Sequence, residues 1–440
     1  MMERNNDRNE GVGANAIIQS VERAIAAGEL VPGARLPTVR ALARRLKLSP
    51  TTVSSAYRAL ALRGMVAAGG RRGTVVSAAP PLASHASITI PPGVRNLLTG
   101  NPDPALLPRL SRLPEPDAPR LYGESINLPE LVALASQAFA ADGLPPGPVA
   151  IVSGTLDGVE RALTAHLRPG DKIAIEDPAY SPVIDLCTAL GLSIVAVRVD
   201  NSGPIPAHLE AALRAGAKAA IVTPRAQNPF GAALDSERAH ELQQIIDDYP
   251  DLLVIEDDHA GLIAGAPAIT LCEKGRRRWV VVRSVSKWLG PDLRLAILTG
   301  DETSVSRIEG RFALGPGWVS HILQRSVAAL WTNTVADALI HRAAEAYAER
   351  RGALLEALAA HGIEAHGRSG LTVWIPVAEE QPIVQSLLAA GWAVAAGERY
   401  RLKSPPAIRV AIATMMPPEA RRFADDLARA LAPAARSHSA

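Results

Sequence analysis

Residues 283–294 read RSVSKWLGPDLR: Lys287 follows the β-like run WVVVRS, with Ser284 and Ser286 before it and Arg294 seven positions after. A lysine that forms a Schiff base needs an ammonium that loses its proton easily, and hydroxyls with an arginine fork close by suit a phosphate. An isolated lysine would read as surface; the company around Lys287 marks a site. Upstream, VIEDDHAG puts Asp257 at the end of an apolar strand, where a carboxylate is expensive to bury unless a cation such as a protonated pyridine nitrogen meets it. QNPFG carries Asn228 on a turn, suited to hydrogen-bond a phenolate oxygen, and DPAYSP carries Tyr180, whose ring can stack on a flat heteroaromatic. SGTLDGVERAL opens a helix whose first N–H groups, around Gly154 and Thr155, can bind an anion.

These stretches sit in an alternating pattern. VAIVSG, KIAIEDP, LSIVAVRV, AAIVTP, LLVIEDD, WVVVRSVS and LAILTG are short β-like runs, with helices expected from Leu156 and Pro182. Strands apolar throughout and separated by helices predict a parallel-rich sheet covered on both faces. RSGLTVWIP and AIRVAIA lie amid helices in the last hundred residues and predict a smaller α+β lobe. The chain is 440 residues, which at about 150 per domain gives roughly three units. Hydrophobic residues at 48% and charged residues at 20% exclude a wholly disordered or collagen-like chain. Cys187 and Cys272 are too far apart in sequence for a disulfide framework or zinc cluster, so no metal is expected and a reducing cytosol is the natural compartment. The charged start MMERNNDRNEGVGANAIIQS has no apolar core, and no later stretch is long and apolar enough for a span, so neither secretion nor membrane insertion is expected.

The net charge of +2 conceals an asymmetry: residues 30–77 hold nine basic side chains and no acidic one, leaving −7 on the rest. Such a module favours a polyanion through counterion release. Ile17, Ile18, Val21 and Ile25 mark one helix face, with Gly28 at its stop. Thr38 can cap a second helix bearing Leu42 and Leu46; Ser49 and Pro50 are the N-cap and first-turn proline of a third, with Val53, Tyr57 and Leu60 inward. The tight turn between them has helix-turn-helix spacing, and MVAAGGRRGTVVS reads as two short strands around a basic tip, a wing. AAPPLASHASITIPPG, uncharged and rich in Pro and Ala, reads as a fairly stiff linker. The expected organisation is a DNA-binding domain over 14–77, a linker over 78–94 and a large domain over 95–440, with a large lobe at about 140–320 and a small lobe from about 321 plus the N-terminal part.

The first module resembles the GntR winged helix-turn-helix through Gly28, Leu30, Pro32, Gly33, Leu36, Pro37, Thr38, Arg40, Leu42, Ala43, Leu46, Ser49, Thr52, Val53, Ala56, Tyr57, Leu60 and Gly64. The resemblance implies phosphate and groove-edge contacts from Arg35, Thr38 and Arg40, a recognition helix presenting Thr51, Thr52 and Ser54, and a wing with Arg71, Arg72 and Gly73. Pro50 stands where many members carry Arg. The second constellation resembles the fold-type I aminotransferases. By that resemblance Lys287 is the Schiff-base lysine for pyridoxal 5′-phosphate (PLP), Asp257 the pyridine-nitrogen partner, Asn228 the O3′ ligand and Tyr180 the stacker. Ser284, Ser286, Arg294, Gly154 and Thr155 hold the phosphate, Arg409 takes an effector carboxylate, and Tyr122 reaches the phosphate of a second subunit, implying a homodimer. His259 replaces the usual Tyr, and a neutral imidazole there is expected to donate to O3′; beyond Gly123, the segment ESINLPEL lacks the glycine common there.

A GntR winged helix followed by an aminotransferase-like domain is the architecture of the MocR regulators, which the chain resembles over nearly its whole length; its TPRAQNPFG, IEDDH and SVSKWLGPDLR forms are similar to the PtsJ-like branch, associated with vitamin B6 metabolism. The implied function is a PLP-dependent transcriptional regulator of a double-stranded DNA operator, in which PLP or its adduct with an amino compound shifts the spacing of two tethered winged helices. A working aminotransferase that has acquired a DNA-binding module, and a DNA-binding protein whose large domain is only a dimerisation scaffold, stay open as alternatives.

Overall fold

The structure is a computed structural model that describes residues 6–62, 65–68, 73–77, 90–110 and 121–432. It divides into two compact units, one of Met1–Ile88 with Arg168–Asp171 and Asp185–Ile194, and one of Thr89–Leu167, Lys172–Ile184 and Val195–Ala440. In the first, α1 (Asn6–Ala26), α2 (Val39–Leu46) and α3 (Pro50–Leu62) precede a hairpin of β1 (Val66–Ala68) and β2 (Thr74–Val76). Thr38 caps α2 by accepting from Ala41 N at 3.2 Å, and Ser49 Oγ accepts from Thr52 N at 3.0 Å at the start of α3. Between the helices Lys47 takes the left-handed conformation that makes the turn tight. Ile17, Ile18, Val21, Leu42, Val53, Tyr57 and Leu60 form the core, and Tyr57 Oη donates to Pro37 O at 2.8 Å. Leu46, read as an apolar face position, is 44% exposed because it ends α2 beyond the packed turn.

The second unit is built on an eight-stranded sheet. Its strands are β4 (Val149–Val152), β5 (Lys172–Asp177), β6 (Ser193–Asp200), β7 (Gly203–Pro204), β8 (Ala217–Val222), β9 (Leu253–Asp258), β10 (Trp279–Ser284) and β11 (Ala296–Gly300), after a short β3 (Arg95–Asn96) that pairs elsewhere. The spatial order is β4-β11-β10-β9-β8-β5-β6-β7. The β5, β8, β9 and β10 pairings are parallel, while β11 runs antiparallel between β10 and β4. Strands β9, β10 and β11 are buried along their whole length, as continuous apolar runs require. The helices α4 (Pro129–Ala141), α5 (Thr155–His166), α6 (Ser181–Ala189), α7 (Pro206–Arg214), α8 (Ser236–Asp247), α9 (Glu302–Ala313) and α10 (His321–Trp331) connect or cover them. A long α11 (Thr334–Ala360) leads to β12 (Thr372–Pro376), α12 (Glu380–Ala389), β13 (Trp392–Ala393), β14 (Ala395–Ala396), β15 (Ala407–Ala411) and α13 (Pro417–Leu431). Here β12, β15 and β14 form an antiparallel sheet, and β13 pairs in parallel with β3, so residues 95–96 join the C-terminal elements. Among the described residues no helix is long and apolar enough to cross a membrane.

Candidate functional site

The chemistry begins with the alternation of β9. Successive side chains of a strand face opposite sides of the sheet, and the strand ends Glu256, Asp257, Asp258, all buried. On one side Asp258 accepts from Arg225 Nε and Nη2 at 2.9 and 2.8 Å and from Arg283 Nε at 2.6 Å, while Arg283 Nη2 also pairs with Asp142 at 2.6 Å. Burial alone would raise the Asp258 pKa, but Arg283 and Arg225 hold it well below the carboxylate range. On the other side Asp257 has no such partner: its Oδ1 is buried without a hydrogen bond among the described residues. Burial first, then the charges of Asp258 and Glu176, push its pKa up to about 8.

Asp257, Tyr180, Asn228, His259 and Glu176 line one pocket. Tyr180 lies just past the end of β5, 39% exposed. Arg409, on β15 and buried, donates through Nη1 to Tyr400 Oη at 2.8 Å and Asn228 Oδ1 at 3.4 Å, and through Nη2 to the Leu98 carbonyl. Its Nε is buried without a partner among the described residues. Lys287 follows β10, and its Nζ donates to Gly100 O at 2.6 Å; burial and the positive charge of Arg409 bring its pKa down to about 8, so the free amine is accessible near neutral pH. Ser284 Oγ accepts from Ser286 N at 3.1 Å. Gly154 starts α5 at φ +106 with no side-chain cap, and a Cβ built on it would stand 3.2 Å from Arg294 Nη2. The open helix N-terminus before Thr155 and the Arg294 guanidinium therefore meet, and a glycine is what lets them.

One expected contact differs. His259 Nε2 lies 2.9 Å from Ala226 O; a carbonyl only accepts, so that nitrogen carries the proton. Burial and nearby Lys287 lower the His259 pKa to about 4, so the ring is neutral and its Nδ1 is an acceptor. Donation from His259 to O3′ is thus corrected: the single N–H is already engaged by a backbone bent into the left-handed region at Ala226. Tyr122 is 91% exposed, stands edge-on to Trp318 at 5.4 Å, and is not among the pocket residues. Sequence reasoning missed Tyr400, Glu176 and Gln227. The signal for Glu176 was the one that found Asp257, an acid closing an apolar strand.

In the first unit Arg35, Thr38 and Arg40 are exposed, Arg35 bridging to Val75 beside the hairpin. On α3, Thr51 is exposed and Ser54 half-buried. Thr52, expected to face a ligand, is 3% exposed, with its hydroxyl 2.8 Å from Ser49 Oγ; it completes the helix cap instead. The open face of α3 runs through Thr51, Ser55 and Arg58, the helical repeat that sequence reasoning passed over. Gly73 is exposed at φ +81, and Arg71 and Arg72 lie outside the described residues.

Two family models match the chain: bacterial regulatory proteins, gntR family, over residues 14–76, and aminotransferase class I and II over residues 119–427. The chain is 38% identical over 428 residues to the vitamin B6 salvage pathway transcriptional repressor PtsJ of Salmonella typhimurium, covering 96% of this chain and 99% of that one. It is 30% identical to the HTH-type transcriptional regulator TauR of Rhodobacter capsulatus, covering 80% and 81%. Among solved structures, the kynurenine aminotransferase of Pyrococcus horikoshii superposes with a TM-score of 0.68 at 19% identity, over 77% of this chain and 91% of that one, which establishes a fold-type I aminotransferase architecture. With a GntR-type winged helix ahead of a class I and II aminotransferase domain, and PtsJ matched almost end to end, the chain belongs to the MocR-type family.

Proposed function

We propose that the protein is a DNA-binding transcriptional regulator that senses PLP, alone or with an amino compound, through its aminotransferase-type domain. The observation that carries this is Asp257: a fully buried carboxyl oxygen without a hydrogen-bond donor among the described residues, in a pocket with Tyr180 and Asn228. A protonated ring nitrogen is the group such an oxygen suits. When bound, PLP supplies an aldehyde open to primary amines on a flat, electron-withdrawing ring. Lys287 would hold it covalently, Tyr180 would cover its face, and Asn228 would meet its phenolate oxygen. Gly154, Thr155, Ser284, Ser286 and Arg294 would hold its phosphate, with the α5 N-terminus and Arg294 already adjacent. Arg409 would take the carboxylate of an amino-acid effector in exchange for the Leu98 carbonyl. His259 keeps a neutral, fixed ring by donating to Ala226 O.

In the first unit Arg35, Thr38 and Arg40 would contact phosphates and groove edges, Thr51 and Ser54 would present the recognition helix, and Gly73 with Arg71 and Arg72 the wing. Exposed Tyr122 would reach the phosphate site of a second copy in a homodimer. The organisation proposed is a DNA-binding domain over 14–77, a linker over 78–94 and the sensing domain over 95–440, acting in the cytoplasm. PtsJ is named for vitamin B6 salvage, which supports a B6 vitamer as ligand.

The test is an absorbance spectrum of purified protein with and without PLP, followed by borohydride reduction and peptide mapping, then operator mobility shifts with and without PLP. A pyridoxyl group fixed on Lys287 and a PLP-dependent change in DNA affinity support the proposal. No adduct overturns it and leaves a winged helix on a scaffold. The second reading, a working aminotransferase, draws on the accessible amine of Lys287 beside Arg409; rapid multiple turnover with amino donors and 2-oxo acids would favour it over a pure sensor.

A further inference from the structure

Tyr180 and Asn228 reach the pocket from different strands. Tyr180 follows β5 and Asn228 follows β8, neighbours in the sheet with Ile175 opposite Ile221. Something must fix one loop against the other, and two buried polar side chains assigned no role above stand between them. Glu176, 3% exposed, accepts from Thr223 N at 2.9 Å through Oε1 and from Gln227 Nε2 at 3.0 Å through Oε2. Gln227, fully buried, sends its other N–H to Pro178 O at 2.8 Å and accepts Phe230 N at 2.9 Å. Every strong donor and acceptor of the amide is used. The links from Gln227 to Glu176 and Pro178 reach the β5 end four and two residues before Tyr180, while the residue itself immediately precedes Asn228. Asp177 serves a different loop, accepting from Leu402, Lys403 and Ser404 N.

We infer that Glu176 and Gln227 are a positioning pair that sets Tyr180 and Asn228 at the spacing a flat ring needs, one to cover its face and one to meet its edge. This rests on the proposed PLP site. Glu176 also lines the same pocket as Asp257 and acts on it electrostatically, so the pair contributes to the charge behind the ring as well as to its frame. Burial holds Glu176 near a pKa of about 7 against the pull of its hydrogen bonds.

The polarity of the pair gives a specific test. Glu176→Gln keeps an oxygen for Thr223 N but turns an amide N–H toward the Gln227 N–H. Gln227→Glu sets carboxylate against carboxylate and drops the Pro178 link. In the double variant carrying both substitutions, the amide now at position 176 would donate to the carboxylate now at position 227, and Phe230 N would still find an acceptor. The measurements, on the full chain, are PLP affinity by absorbance titration, induced circular dichroism of the bound chromophore as a report of ring orientation, and tryptophan-fluorescence melting. Each single variant should bind PLP about tenfold more weakly or worse, the scale of one buried donor left unpaired, with diminished dichroism. The exchange should recover the part lost with the 176–227 contact, so that the double variant exceeds either single variant in both readouts, while the Pro178 carbonyl stays without its donor. Single variants within about twofold of wild type in affinity and unchanged in dichroism overturn the pairing while the cofactor site stands. So does a double variant no better than the singles, because a purely structural defect would not be repaired by reversing polarity. A wild-type protein that takes up no PLP overturns the proposed function and this inference with it.

Discussion

Asp257→Asn should change the pH dependence of stability in a calculable way. In the unfolded chain an aspartate ionises near pH ~4. In the folded protein without cofactor, Asp257 holds its proton up to about 8. Between those values the native state binds one proton more than the unfolded state, so stability falls as pH rises, by about 1.4 kcal/mol per unit. From pH 5 to pH 7 this one group removes roughly 2.7 kcal/mol. Asparagine does not titrate, so the variant's stability relative to wild type should rise by that amount over the same interval. Any fixed penalty for the buried amide, about 1–3 kcal/mol, shifts both pH values equally and drops out. All six tryptophans lie at position 279 or later, so urea denaturation followed by their fluorescence reports the large unit alone. With PLP bound the comparison should reverse, because wild type gains a cationic partner that asparagine cannot hold. A difference between variant and wild type that is the same at pH 5 and pH 7 would refute the reasoning.

Lys287→Ala should abolish the borohydride-fixed adduct and leave the melting of the large unit nearly unchanged; an adduct of undiminished yield would reject that lysine. With wild type, the rate of covalent PLP uptake should climb with pH to about 8 and then level, as the free amine of Lys287 becomes the dominant form; a flat profile would show that the amine is not limiting. Arg40→Ala should weaken binding to every DNA sequence alike and reduce the salt slope by about one, whereas a loss confined to one operator base pair would make it a base reader. Thr52→Ala should cost the winged helix about 1–2 kcal/mol of stability without altering operator preference; altered preference with unchanged stability would return Thr52 to the DNA-facing surface.

Most of the sheet was legible because its strands are apolar without interruption, and the winged helix because Thr38, Ser49 and Pro50 sit where helices begin. Asp257 was legible for a physical reason: an acid at the end of such a strand needs a partner. What sequence could not supply was which neighbour each side chain meets. Thr52 reads like its polar neighbours Thr51 and Ser54, and only the packing of α3 shows that it turns inward to the cap. His259 reads as a possible donor until Ala226 O claims its N–H. Glu176 carried the same signal as Asp257, but its partner Gln227 is 51 residues away in sequence and is brought near by the β5–β8 pairing. Arg409 was found by resemblance, yet its present acceptors on Leu98 and Tyr400 follow from how β15 packs.

The end of β9 has a bearing on how the protein avoids error. Glu256 and Asp258 face the side where Arg225 and Arg283 wait, and Asp257 faces the pocket. A slip of one residue along the strand would exchange these destinations, taking Asp258 from its two arginines and Glu256 from the donors Thr270 Oγ1 and Leu271 N. The misregistered chain would therefore be penalised by charge before any ligand arrived. Folding proofreads the sensor: a molecule that has closed this sheet correctly has, by the same step, aimed the unsatisfied acid of β9 at the pocket.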